Sequence, residues 1–150
     1  VGVHLIVGLG ETEEEMITCI QRAHDLGVGT HLFSFFPEPG SRLQGHPQPP
    51  IGQYRRVQLA RCIINQGVGR RDGMSFNAAG QVVDFGVDIE PLLASGEAFE
   101  TSGCPGPRGQ TACNRPFGNE RPSRPFRNFP MKPEPDDLDL VRAHLWMGLT

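Results

Sequence analysis

The stretch Val3–Glu15, VHLIVGLGETEEE, constrains the chain more than any other. Val3, Leu5, Ile6 and Val7 form a short, nearly continuous apolar run, the pattern of a strand covered on both faces. Gly8 and Gly10 then permit a tight turn in which another backbone or a ligand comes close. Thr12 and Glu15 have the spacing of a capping box, in which hydroxyl and carboxylate each take a backbone N–H of the other. Strand, Gly-x-Gly turn and helix in succession present a ligand-facing edge at the carboxyl end of a parallel strand. A tight βα turn with no ligand makes the same demands, so both readings stay open on this stretch alone.

Downstream, Met16, Ile17, Ile20, Ala23, His24 and Leu26 recur at helical spacing, and Gly27 provides a left-handed stop. Thr30–Phe36, THLFSFF, predicts a second strand, ended by Pro37-Glu38-Pro39-Gly40-Ser41. Pro49 and Pro50 suit a helix start, and Tyr54, Val57, Ala60, Ile63 and Ile64 give that helix an apolar stripe up to Gly67. The order β-α-β-α, with connections of crossover length, predicts parallel strands in an α/β sheet or barrel. Two βα units are too few to close a barrel. Met74–Asn77 and Gln81–Phe85 flank Ala79-Gly80 as a hairpin or a short terminal strand, and Ile89–Ala94 is one or two helical turns. Asp136 or Asp137 is the expected cap of a last helix holding Leu138, Leu140, Val141, His144 and Leu145 and running to near Thr150.

Composition divides the chain. Residues 1–98 carry ordinary βα patterning, whereas 99–150 begin with a segment rich in Pro, Arg and Asn before the last helix. Cys104, Cys113, Phe117, Phe126 and Phe129 make that segment costly to leave in water. The net charge of −3 does not suit a general nucleic-acid binder. Glu11, Glu13, Glu14 and Glu15 gather where a helix dipole favours them, and Arg108, Arg115, Arg121, Arg124 and Arg127 gather in the tail. No apolar run is long enough to span a bilayer and no signal peptide is evident, so no membrane partner and a cytoplasmic location are expected. Cys19 and Cys62 fall in predicted helices and are expected as core thiols. The start at Val1, inside an apolar strand and without Met, predicts a piece of a longer protein.

The Gly8-x-Gly10 turn is no dinucleotide fingerprint, since Glu13 stands where the third glycine belongs, and no phosphate-binding P-loop occurs. The run Ile6-Val7-Gly8-Leu9-Gly10-Glu11 resembles the later part of the GxIxGxxE motif of radical S-adenosylmethionine (SAM) enzymes, with His4 where the motif has Gly. FSFFPEPGSRL is similar to the strand and Pro-Gly turn that follow in that family. TSGCPG, CNRPF and NERP, over 101–122, resemble the C-terminal segment of biotin or lipoyl synthase-like members. The resemblance implies the C-terminal part of a partial (β/α)6 TIM-like barrel with an irregular extension. Ile6, Val7, Gly8, Gly10 and Glu11 would then lie against SAM, with Glu11 steadying the turn. Phe35 would border the adenosyl pocket, although Phe33 and Phe35 also suit barrel core.

The same resemblance implies a 4Fe–4S cluster, a 5′-deoxyadenosyl radical, attack on an unactivated C–H bond, possible sulfur insertion, and a reductant such as ferredoxin or flavodoxin. The cluster loop CxxxCxxC is absent, so this chain alone is expected to be inactive and to need a missing N-terminal half-barrel or a partner chain supplying it. Cys104 and Cys113 are the candidate ligands of an auxiliary iron–sulfur cluster, against buried structural thiols or a redox pair. Arg115 and Arg121 are the candidates to hold a substrate or SAM carboxylate, whereas Arg124 and Arg127 are expected solvated or paired with Glu120 and Glu134. His4, His24, His31, His46 and His144 have no ligand-set spacing, and no triad is evident. A non-catalytic subunit completing a split barrel, or a small thiol or metal-binding α/β module, are the rival readings.

Overall fold

A computed structural model describes residues 1–105, 107–108, 111–113 and 125–150; the side chains at 104, 105 and 111–113 are outside the description. The order is β1 (Gly2–Val7), α1 (Glu13–Asp25), β2 (Gly29–Ser34), α2 (Ile51–Asn65), β3 (Ser75–Phe76), β4 (Val82–Asp84), α3 (Glu90–Ser95), β5 (Cys104–Pro105), β6 (Thr111–Cys113) and α4 (Pro135–Leu145). The fold is mixed α/β. Its three described sheets have two strands each and close no barrel.

β1 and β2 pair in parallel, as the crossover order predicts, with His4 opposite His31 and Ile6 opposite Phe33. β1 departs from expectation. It is not covered on both faces: Val7 is buried, but Val3 is 38% and Ile6 44% exposed. One edge of β1 meets no other strand among the described residues, and His4 and Ile6 are exposed on one face.

α1 starts at the expected box: Thr12 accepts the Glu15 N–H (3.1 Å) and the Glu15 carboxylate accepts the Thr12 N–H (2.8 Å). It ends as Gly27 predicts. The Gly27 N–H bonds the His24 carbonyl and the Val28 N–H bonds that of Ala23, which satisfies carbonyls the helix leaves open. Met16, Ile17 and Ile20 are buried, but Leu26, one residue past the helix, is 77% exposed, and Cys19 is an exposed thiol rather than a core one. Cys19 lies one position off the stripe formed by Met16, Ile17 and Ile20.

α2 is the centre of the molecule. Its predicted stripe is buried, and so are Arg55, Arg56 and Gln58, each within 2% of complete burial. Polar groups so deep must be partnered. Arg56 meets the Glu13 carboxylate at 2.6 Å and donates to the carbonyls of Leu145 and Met147. Arg55 lies over the rings of Phe99 and Phe129 and donates to the carbonyls of Phe126 and Arg127. Gln58 donates to the Arg127 carbonyl and to Asn128 Oδ1. α2 therefore holds the returning segment 126–129 by side-chain donors.

β3 and β4 form an antiparallel hairpin, the first of the two forms left open by the sequence, with Ser75 opposite Asp84. α4 is capped one turn differently from the expectation. Glu134 is the cap residue and Asp137 stands at the third helical position, where its carboxylate accepts the Glu134 N–H (3.1 Å). The helix stops at Leu145, and Leu140 is 43% exposed while Val141 and Leu145 are buried. No helix among the described residues is long and apolar enough to cross a membrane.

Candidate functional site

At the carboxyl end of β1 the chain turns through Gly8 and Gly10, at φ of 105° and 117°, values that side chains rarely adopt. The Glu11 carboxylate accepts the Gly8 N–H (2.7 Å) and the Leu9 N–H (2.9 Å). Two backbone donors that a turn leaves unpaired are thereby satisfied by one side chain, which fixes the shape of the turn.

The loop after β2 folds back onto this turn. His46 Nε2 donates to the Gly8 carbonyl (2.7 Å), and the His46 ring meets Phe35 edge-on at 5.2 Å between centroids. A Cβ at Gly8 would fall 2.6 Å from Pro49 Cδ, whereas one at Gly10 would meet nothing within 4 Å. The close approach at Gly8 is thus made by the protein's own Pro49. Room for an external group is on the Gly10 side. Neither the His46 nor the Pro49 contact has a sequence signal, since both residues lie some 40 positions from the turn with no characteristic spacing to it.

The open face of the β1–β2 pair continues from the turn. By the strand alternation, His4 and Ile6 share it with His31, Phe33 and Phe35. Phe33 and Phe35 are half-buried and stand outside the closed core. His4 packs edge-on against both His31 (5.2 Å) and Phe33 (5.0 Å). His31 Nδ1 hydrogen-bonds Ser102 Oγ at 2.6 Å, which brings the start of the tail onto this face. Partial burial holds the His31 imidazole below its ordinary pKa, with Arg61 and His4 adding to the effect.

Of the residues singled out from sequence, Ile6, Val7, Gly8, Gly10, Glu11 and Phe35 come together around the turn, with Val7 facing the core and the others exposed or half-buried. Cys104 and Cys113 are brought directly opposite each other in the β5–β6 ladder. Arg115, Arg121 and Arg124 lie outside the described residues. Arg127 is half-buried rather than free in solvent. Its Nη1 donates to Ser34 Oγ (3.2 Å) and its guanidinium lies 6.0 Å from the Tyr54 ring centroid. Cys62 is buried, and the loss of solvent pushes its thiol up to about 11, which makes it unreactive.

Among the described residues no group of three or more His, Cys, Asp or Glu is placed to hold a metal ion. The face beside the turn carries exposed Ile6 and half-buried Phe35, next to the unfilled space at Gly10. No family model matches the chain, and neither a curated protein nor a solved structure matches it.

Proposed function

We propose that this chain is the C-terminal part of a radical SAM enzyme of the biotin or lipoyl synthase-like type. The observation that carries the reading is the turn after β1, where Glu11 pins the Gly8 and Leu9 N–H groups and leaves Gly10 open. Such a turn at the carboxyl end of a parallel strand is where βα folds bind ligands. A second support is the edge of β1 that meets no strand among the described residues, with Ile6 exposed beside it, a seam suited to further strands.

In this reading Ile6, the Gly10 backbone and Phe35 would bind and orient SAM, and the remaining half-barrel would provide the iron–sulfur cluster. Those groups, when bound, would supply the chemistry of hydrogen abstraction from an unactivated C–H bond, with an external one-electron reductant. The chain's own residues bind, orient and exclude water rather than act as acid or base. Arg115 and Arg121 remain candidates for a carboxylate, and an auxiliary cluster at Cys104 and Cys113 would need ligands from elsewhere.

The test begins with the coding sequence upstream of Val1. A CxxxCxxC loop followed by further βα units is expected there. The corresponding longer protein, reconstituted with iron and sulfide and reduced, should convert SAM to 5′-deoxyadenosine. Ile6→Lys should lower that yield at least about tenfold, and a melting curve and iron content recorded on the same variant separate lost SAM contact from lost folding. Absence of the loop in the same reading frame, with no SAM cleavage, sinks the catalytic reading. A stable complex with a separate chain bearing the loop would put the split-barrel subunit in its place.

A further inference from the structure

We propose that Cys104 and Cys113 are a cross-strand dithiol that closes to a disulfide and reopens with the surrounding thiol–disulfide balance. The inference does not rest on the SAM reading and stands in place of an auxiliary cluster at these two cysteines.

It rests on register. β5 and β6 run antiparallel, and Cys104 and Cys113 are direct partners in their ladder. Directly opposed residues of an antiparallel pair share a face and have Cα atoms about 4.5 or about 5.5 Å apart, depending on the hydrogen-bonding position. A disulfide requires a Cα separation of about 4.4–6.8 Å, so either position serves. The ladder is irregular at the next step, between Cys104 and Pro105, so the matched pair is confined to the open end of the hairpin.

That end is also the anchored end. Ser102, two residues before Cys104, is hydrogen-bonded to His31 on the β1–β2 face. Thr101 donates its N–H to the Phe129 carbonyl, and the Phe129 N–H bonds that of Phe99. The two-thiol register is thus built onto the folded body. Cys62 is no competitor, being buried on α2 with a raised thiol pKa, and Cys19 lies exposed on α1.

The reaction is ordinary thiol–disulfide exchange with a low-molecular-weight disulfide such as oxidised glutathione. One cysteine thiolate attacks a sulfur of the small disulfide and expels one glutathione thiolate. The second cysteine thiolate attacks the resulting mixed disulfide, forms the Cys104–Cys113 bond and expels the second glutathione thiolate. The protein loses two electrons and two thiol protons, and the small disulfide gains both.

The test uses the whole chain, equilibrated across a series of reduced-to-oxidised glutathione ratios, quenched in acid, alkylated and digested. The expected species has lost about 2 Da, takes no alkyl group at Cys104 or Cys113, and yields a peptide cross-linked between them. It should reopen with excess reduced glutathione. Closing should need about tenfold less oxidised glutathione in buffer than in urea, since only the folded hairpin holds the register. Cys104→Ser should turn Cys113 into a glutathione adduct instead. Mixed disulfides at both cysteines of the native chain, equal closure in buffer and urea, or cross-links to Cys19 would each overturn the proposal. So would protection of both thiols that a metal chelator relieves, which would make them metal ligands.

Discussion

Gly8 and Gly10 look alike in the sequence and differ in what surrounds them. Both need a backbone that alanine reaches only with strain of about 1–3 kcal/mol. Gly8 alone is also packed by Pro49, so Gly8→Ala should cost a further roughly 1–3 kcal/mol in urea denaturation, and Gly10→Ala should not. Glu13 behaves in another way. Its carboxylate lies 2% exposed, bonded to Arg56 and to the Val82 N–H (2.8 Å). Glu13→Ala leaves a buried guanidinium unbalanced and should destabilise by about 3–5 kcal/mol, whereas Glu13→Gln keeps an oxygen for Val82 and should cost less. Equal losses for the two variants would show that charge pairing, not the hydrogen bond, dominates there. Sequence reading found Glu13 only as a helix-start acid, because its partners lie 43 and 69 positions away.

The histidines give the elements a pH dependence. Burial lowers the pKa of His31 on β2 and of His144 on α4, with Arg55 and Arg127 also acting on His144. The unfolded chain therefore binds protons first as pH falls through about 6.5, and the native state loses stability between there and the lowered folded values. Stability should be complete above that window. The urea midpoint should fall from about pH 7.5 to about 5.5, and His31→Gln with His144→Gln should flatten the profile. A profile unchanged by both substitutions would assign the effect elsewhere. At this scale much was legible. The strand–turn–helix unit, the parallel order, the Gly27 stop and the hairpin at Ala79-Gly80 follow from period, capping and turn chemistry, which act within a few residues. The polar half of α2 was not. Arg55, Arg56 and Gln58 lie off the apolar stripe and carry no local signal of burial, and the returning segment 126–129 and the end of α4 make them interior. Exposure of Val3 and Ile6 was equally hidden, since an apolar strand has the same sequence whether its neighbour belongs to the same body or not.

For the whole molecule the decisive feature is where the tail leaves and returns. Phe99 and Thr101 bond Phe129 through two backbone hydrogen bonds of 2.9 Å, and Glu100 bridges to Phe129. Phe99 and Phe129 are both buried under Arg55. The two ends of the excursion are thus clasped together, whatever length of chain lies between them. Polymer statistics make the consequence quantitative: doubling such a loop costs only about 0.6 kcal/mol. Residues 104–125 should then be replaceable by a short Gly-Ser linker with a change in unfolding free energy of no more than about 1 kcal/mol, measured by urea denaturation. A cooperative transition lost on that replacement would mean that the excursion is part of the core. In evolutionary terms the clasp makes the segment a cassette. Its length can change in copies of this scaffold while Phe99 and Phe129 keep α2 and the start of the tail closed.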